Sequence, residues 1–127
     1  FLGASAVLLI VRCLSRNQLN ELANCAFEME LTPLVECHSR SELDIALEIK
    51  NAVVGVNNRD LETLEIDRGI APMLLHELPP DSIAIAESGY KKAVDTDELH
   101  GLADAVLIGS ALMKLEEPSS FIREVQK

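Results

Sequence analysis

The sequence predicts an α/β fold built on a parallel sheet, because short apolar runs alternate with amphipathic helical patterns along the chain. Each run is four to six residues long and apolar on both faces, which is typical of strands that are buried on both sides. Two parallel strands and the helix between them form a right-handed unit, so the alternation predicts a series of such units. The five predicted strands are residues 6–11, 32–37, 52–57, 82–87 and 105–108.

The predicted helices occupy the segments between these strands. In 15–30, apolar residues recur three and four positions apart, and Ser15 with Gln18 forms a capping-box pattern at the start. Ser39 with Glu42 repeats this pattern before the next helix. Further helices are predicted at 70–78, where two prolines end the helix, at 91–100, and after Pro118.

The polar residues at the strand ends favour one of two possible architectures. In an open doubly wound sheet, ligand-binding residues concentrate at the point where the strand order reverses. A (β/α)8 barrel instead uses the carboxyl ends of many strands. Here every predicted strand ends near a polar or small residue, namely Arg12, Glu36, Asn57, Glu87 and the pair Gly109-Ser110. The sequence therefore predicts five βα units of an eight-stranded barrel, and we expect residues 1–127 to form the C-terminal portion of one barrel domain.

Composition excludes several functional classes. The chain has 127 residues, of which 48% are apolar and 25% charged, as in a single globular domain. Its 11 basic and 21 acidic residues give a net charge of −10, which argues against binding to nucleic acid or to an anionic membrane. A small phosphorylated ligand remains compatible, because a few backbone amides can hold one phosphate. Three cysteines without metal-ligand spacing predict reduced thiols and a cytoplasmic protein.

The loops after the last two strands are candidates for phosphate binding. Ser88 and Gly89 follow the fourth strand, and Gly109 and Ser110 follow the fifth. Small residues let backbone N–H groups approach an anion, and the last two loops of such barrels often bind phosphate. The alternative is that these pairs only form tight turns.

Two carboxylates at strand ends are candidates for acid–base chemistry. Glu36 and Glu87 end otherwise apolar strands, where partial desolvation raises the pKa of a carboxyl group. Structural ion pairing is the alternative for both. Asn57 is a candidate for holding a substrate oxygen, whereas Asn58 is the more expected turn residue. Cys37 and His38 are adjacent on a strand and point to opposite faces, so no metal site is predicted there.

The segment after Asn57 offers a cation and an apolar wall. The planar guanidinium of Arg59 could bind a carboxylate, or it could be a surface charge paired with Asp60 or Glu62. Leu61 and Leu64 could line an apolar pocket or simply pack on the rim of the barrel.

Several longer motifs together resemble the indole-3-glycerol phosphate synthase family. They are "GASAVLLIVRCL", "LTPLVECHS", "AVVGVNNRDLETLEID", "IAIAESGY" and "ADAVLIGSALMK", which cover nearly all of the chain. The resemblance implies a (β/α)8 barrel of the ribulose-phosphate-binding type, with this chain matching the family's strands 4 to 8. It also implies an enzyme of tryptophan biosynthesis, a decarboxylating lyase that uses no metal or cofactor. The substrate would be 1-(2-carboxyphenylamino)-1-deoxyribulose 5-phosphate, which is converted to indole-3-glycerol phosphate with loss of carbon dioxide and water.

The resemblance also implies roles for the candidate residues. Glu36, Asn57 and Glu87 match catalytic positions: Glu36 in acid–base chemistry, Asn57 near the reacting ring and Glu87 near the ribulose hydroxyls. Arg59, Leu61 and Leu64 match substrate-binding positions, with Arg59 close to the anthranilate carboxylate. Ser88, Gly89, Gly109 and Ser110 match phosphate contacts.

The family's catalytic lysines belong to its strands 1 and 3, which this segment does not match. We therefore expect the segment alone to be inactive without the N-terminal half of a barrel. A non-catalytic half-barrel, which binds phosphate or pairs with a second copy, is the alternative. Another ribulose-phosphate barrel, such as phosphoribosylanthranilate isomerase, is disfavoured by the stretch "GVNNRDLETLEID".

Overall fold

The computed structural model describes residues 3–126, so the first two residues and the last residue of the predicted domain lie outside the described part. Its five strands are all parallel and form one sheet. The strands are β1 (Ala6–Ile10), β2 (Thr32–Cys37), β3 (Val53–Asn57), β4 (Ala84–Glu87) and β5 (Ala105–Leu107). All five predicted strands are confirmed, with four of them starting or ending one or two residues inside the predicted bounds.

The order of the strands in the sheet distinguishes a barrel from an open doubly wound sheet. Each strand pairs with the next one in sequence, in the order β1-β2-β3-β4-β5, and nowhere does the order reverse. Because right-handed connections that all step in one direction place their helices on the same face, the sheet is wound as in a barrel. The predicted (β/α)8 architecture, present here as five units, is confirmed.

The helices cover the outer face of this sheet. They are α1 (Arg16–Glu28), α2 (Arg40–Ala46), α3 (Ile70–Leu75) and α4 (Pro118–Val125), with 3₁₀ helices at Val11–Cys13, Ala93–Leu99 and Leu112–Lys114. Between helices and sheet, two apolar clusters contain the alternate strand residues Leu9, Val35, Val54, Val56 and Ala86. Within the described residues, no helix is long and apolar enough to cross a membrane.

The predicted helix starts are correct in part. Ser15 and Gln18 form the expected capping box: each backbone N–H donates to the other residue's side chain, at 3.3 and 3.0 Å. Ser39 Oγ accepts the backbone N–H of Glu42 at 3.3 Å, but the Glu42 carboxylate does not return the bond. It contacts two other groups at the strand ends instead.

One predicted helix, at 91–100, is wrong in type. The structure has a 3₁₀ helix at Ala93–Leu99. Its inward-facing residues Ala93, Thr96 and Leu99 recur every three positions, which matches the three residues per turn of a 3₁₀ helix rather than the 3.6 of an α-helix.

Candidate active site

Three of the predicted site residues meet on the inner face of the sheet, at its carboxyl edge. Asn57 ends β3 and Glu87 ends β4, and the two are register partners. Glu36, near the end of β2, is paired with Gly55 of β3. All three polar side chains are buried, with 6%, 6% and 3% of the surface of Glu36, Asn57 and Glu87 exposed. The strand order thus brings together side chains that are 21 to 51 positions apart in the sequence.

The carboxyl group of Glu87 lies over β3, in the space that Gly55 leaves empty. A Cβ atom built on Gly55 would be only 2.2 Å from Glu87 Oε1. No protein donor within the described residues reaches this buried oxygen. Glycine in a strand interior often marks a site where another group approaches the backbone closely, and here that group is a carboxylate.

Burial and the neighbouring Glu36 together raise the pKa of Glu87 from 4.5 to about 7, and burial is the larger cause. Glu36 contributes to this shift through its negative charge and through a side-chain hydrogen bond with Glu87. When one of the two glutamates carries a proton, that proton stabilises the pair, because two adjacent buried charges of the same sign are unfavourable. This arrangement allows Glu87 to take up or release a proton near neutral pH.

The two adjacent asparagines at the end of β3 bond to different parts of the structure. Asn57 Oδ1 accepts the backbone N–H of Arg59 at 2.9 Å, so Asn57 makes the turn bond at the strand end. Asn58 lies in the bend after β3, but it is completely buried and its side chain bonds to three residues, two in the loop after β4 and one in α3. Its side chain points away from the inner face, into the packing between sheet and helices.

The loop after β3 folds back on itself above the strand ends. Arg59 forms an antiparallel bridge with Ile66, and its Nη1 donates to the carbonyl oxygen of Leu64 at 2.9 Å. The predicted alternative, an ion pair with Asp60 or Glu62, is not seen within the described residues, and Asp60 contacts Arg12 instead. Leu61 is half-buried, whereas Leu64 is 61% exposed at a positive φ of 61°.

A polar network that sequence reasoning missed supports this loop. Arg12 Nε donates to Glu42 Oε1 at 3.0 Å, and Arg12 Nη1 donates to Asp60 Oδ2 at 3.2 Å. The backbone N–H of His38 donates to Glu42 Oε2 at 2.7 Å, and its Nδ1 donates to the carbonyl oxygen of Asn57 at 2.6 Å. The network joins the ends of β1, β2 and β3. Its only signal in the sequence is Arg12 at a strand end.

Asp60 is held as a carboxylate at the centre of this loop. The backbone N–H groups of Thr63 and Glu62 donate to Asp60 Oδ1 at 3.0 and 2.7 Å. Together with Arg12, these bonds lower the pKa of Asp60 to about 2. Asp60 therefore stays charged at every physiological pH and keeps the loop closed on itself.

The four predicted phosphate contacts lie on the loops after the paired strands β4 and β5. Ser88 and Gly89 both have positive φ, 66° and 92°, directly after Glu87. Gly109 and Ser110 are exposed, and nothing lies within 4 Å of a Cβ built on Gly109. Neighbouring strands thus carry these residues to the same edge, which is compatible with a shared anion site.

Two further observations concern ligands. In the part of the chain that the structure describes, no three His, Cys, Asp or Glu side chains cluster as a metal site would require. A cavity of about 590 Å³ lies between β5 and α4, and none of the candidate site residues lines it. The candidate site is instead the open inner face of the sheet at its carboxyl edge.

Comparison with known proteins agrees with this arrangement. The model of the indole-3-glycerol phosphate synthase family matches residues 1–125. The chain belongs to the indole-3-glycerol phosphate synthase family. The synthase of Dehalococcoides mccartyi is 42% identical over 124 residues, which are 97% of this chain and 48% of that protein. The synthase of Thermococcus kodakarensis is 42% identical over 126 residues, which are 97% of this chain and 55% of that protein.

The chain therefore spans about half the length of the synthases that it matches. A solved structure, the Amycolatopsis orientalis BexX/CysO complex, superimposes with a TM-score of 0.63 at 16% identity. The match covers 88% of this chain and 47% of that one. At this identity the similarity to BexX/CysO concerns the fold alone, whereas the synthase family is shown by sequence.

Proposed function

We propose that the protein to which this chain belongs is an indole-3-glycerol phosphate synthase. The proposed reaction converts 1-(2-carboxyphenylamino)-1-deoxyribulose 5-phosphate to indole-3-glycerol phosphate by closing a ring. The observation that carries the proposal is the pair of buried carboxyl groups at the carboxyl edge of the sheet: Glu87 lies over Gly55, and Glu36 is the register partner of Gly55 on the next strand. Family membership supplies the substrate class.

The proposed chemistry uses these two groups for proton transfer. The aromatic carbon that bears the carboxylate attacks the ketone carbon, the ketone oxygen takes a proton, and carbon dioxide leaves. The resulting hydroxyl then leaves as water while a proton is removed from the ring. A carboxyl group with a pKa near 7 is suited to such steps, because it can be protonated before a transfer and ionised after it.

The other candidate residues have binding roles in this proposal. Arg59 binds the anthranilate carboxylate, Asn57 holds the substrate near the reacting ring, and Leu61 with Leu64 covers the ring. The phosphate binds between the loops that carry Ser88-Gly89 and Gly109-Ser110. The protein would act in the cytoplasm without a metal or cofactor, on a small phosphorylated molecule.

The test is an assay of synthase activity with the natural gene product. The fluorescence of the indole ring in the product, indole-3-glycerol phosphate, reports its formation. Glu36→Gln and Glu87→Gln should each lower kcat by about 100-fold, a typical loss when general acid–base catalysis is removed. Glu62→Gln, on an exposed part of the loop, is the matched control and should keep full activity. Activity that survives in both glutamate variants would contradict the proposed roles.

We further propose that the 127-residue chain alone has no appreciable turnover. Substantial product formation by the chain alone would refute this.

The second candidate, a non-catalytic half-barrel that pairs with a second copy, is favoured by exposed leucines on the inner face. Leu8 is 48% exposed and Leu107 is 55% exposed, on the two outer strands of the sheet. Light scattering of the chain alone tests it, because a discrete dimer is expected if this candidate is correct.

A further inference from the structure

Asn58 is a buried polar side chain near the candidate site, and none of the roles above uses it. Its exposed fraction is 0%. Both hydrogens of its amide nitrogen are used: Nδ2 donates to the carbonyl oxygen of Ser88 at 3.1 Å and to the hydroxyl of Tyr90 at 2.9 Å. Its Oδ1 accepts the backbone N–H of Ala71, in α3, at 2.9 Å. One side chain therefore joins the end of β3 to the loop after β4 and to a helix.

Asn58 holds two successive carbonyl groups where the chain leaves β4. Its backbone N–H donates to the carbonyl oxygen of Glu87 at 3.0 Å, and its side chain donates to that of Ser88. Ser88 itself has a φ of 66°, which is unfavourable for a residue other than glycine. The bond to its carbonyl oxygen helps to stabilise this backbone conformation.

The bond to Ser88 also sets the direction of the next N–H group. In a planar trans peptide, the C=O of one residue and the N–H of the following residue point in opposite directions. Because the Ser88 carbonyl points to the buried side chain of Asn58, the Gly89 N–H must point away from it. Only glycine fits at position 89, since φ is positive there and an added Cβ would lie 2.8 Å from Ile66 Cγ2.

We propose that Asn58 is a positioning residue for the phosphate group of the substrate. By holding the Ser88–Gly89 peptide in one orientation, it presents the Gly89 N–H to the phosphate. This inference rests on the proposed function, which supplies the phosphorylated substrate, and it adds a residue that touches neither the substrate nor the reacting atoms.

The first experiment compares Asn58→Asp with Tyr90→Phe in the natural gene product. Asn58→Asp keeps the acceptor for Ala71 but removes both donors, including the one to Ser88. Tyr90→Phe removes only the hydroxyl, so the bond to Ser88 remains, which makes it the matched control. For Asn58→Asp we expect the KM for the substrate and the inhibition constant of inorganic phosphate to rise roughly tenfold, the effect of losing one hydrogen bond to a charged group. Its kcat should change less than threefold, and Tyr90→Phe should change none of these constants more than threefold.

Unchanged KM and phosphate inhibition in Asn58→Asp would overturn the proposal, and so would a fall in kcat without a rise in KM. If Asn58→Asp does not fold, a second measurement, made on the unmodified protein, still tests the proposal. Titration with inorganic phosphate should shift the amide resonance of Gly89, and a titration that shifts other amides but leaves Gly89 unmoved would overturn it. If the unmodified protein lacks synthase activity, the proposed function fails, while the phosphate titration still tests whether the Gly89 N–H binds phosphate, which the role of Asn58 requires.

Discussion

Replacing Gly55 with alanine should separate the two carboxyl groups of the candidate site. The new Cβ would lie 2.2 Å from Glu87 Oε1 and 3.2 Å from Leu34 Cδ1. Unbonded heavy atoms need about 3.5 Å, so the carboxyl oxygen must move by roughly 1.3 Å. The backbone of β3 accepts alanine without strain, because Gly55 does not have a positive φ. The effect of the substitution therefore comes from this contact.

The expected consequence is a lower pKa for Glu87. The pKa of Glu87 is raised from 4.5 to about 7 by burial first and by Glu36 second. A difference of this size corresponds to about 3 kcal/mol in favour of the protonated form, and moving the carboxyl towards water removes part of it. Overpacking adds its own cost of about 1–3 kcal/mol, so the free energy of unfolding should fall as well.

The assay is a pH titration followed by NMR of the glutamate carboxyl carbons. In the unmodified protein one carboxyl should titrate near pH 7, and in Gly55→Ala that midpoint should move towards 4.5. Gly109→Ala is the control, because no atom lies within 4 Å of the added Cβ. A midpoint that stays near 7 in Gly55→Ala would refute the reasoning, as would the absence of any such group in the unmodified protein.

Three further predictions follow from charge and burial. Glu87→Gln should raise the free energy of unfolding by up to about 3 kcal/mol at pH 8 and by little below pH 4.5. Between pH 4.5 and about 7, the folded protein keeps a proton on Glu87 that the unfolded chain releases, so the free energy of unfolding falls as pH rises. Urea denaturation of the variant and of the unmodified protein across this pH range measures the difference. Arg12→Met should lower the free energy of unfolding by about 1 kcal/mol. This loss should be smaller in 1 M salt, because the ion pairs of Arg12 are partly exposed and salt screens them. A loss that salt does not change would contradict this. A thiol reagent at pH 8 should modify the two exposed cysteines in the folded protein but not Cys37, because burial raises the pKa of Cys37 to about 12. Cys37 should react once urea unfolds the chain. Modification of all three cysteines in the folded protein would contradict this.

The parts of the fold that depend on local pattern could be predicted from the sequence. The strands follow from apolar runs, the start of α1 follows from Ser15 and Gln18, and the start of α4 follows from Pro118. The helix at 91–100 could not be assigned correctly, because a repeat of three over Ala93–Leu99 is close to a repeat of 3.6 in so short a segment. Local pattern alone does not separate the two.

The candidate site was only partly predictable, for a different reason. Strand ends marked Glu36, Asn57 and Glu87, because a polar side chain at the end of an apolar run is conspicuous. The contacts of Asn58 with Ser88 and of Glu42 with Arg12 were hidden, since each joins residues 30 positions apart. Glu42 even matched a local capping pattern, and its bond to Arg12 became evident only when β1 and β2 were placed side by side.

The choice of glycine at position 55 depends on the side chains of the two neighbouring strands, β2 and β4. Glycine weakens a strand, because it loses more backbone freedom on folding and buries no side chain. In a sheet with sequential strand order, β3 is the only strand between Glu36 on β2 and Glu87 on β4. Any side chain at the position paired with Glu36 would occupy the place of the Glu87 carboxyl. The cost in strand stability is therefore tied to the approach of the two carboxyl groups, and a change at Gly55 should alter their protonation even though Gly55 carries no ionisable group.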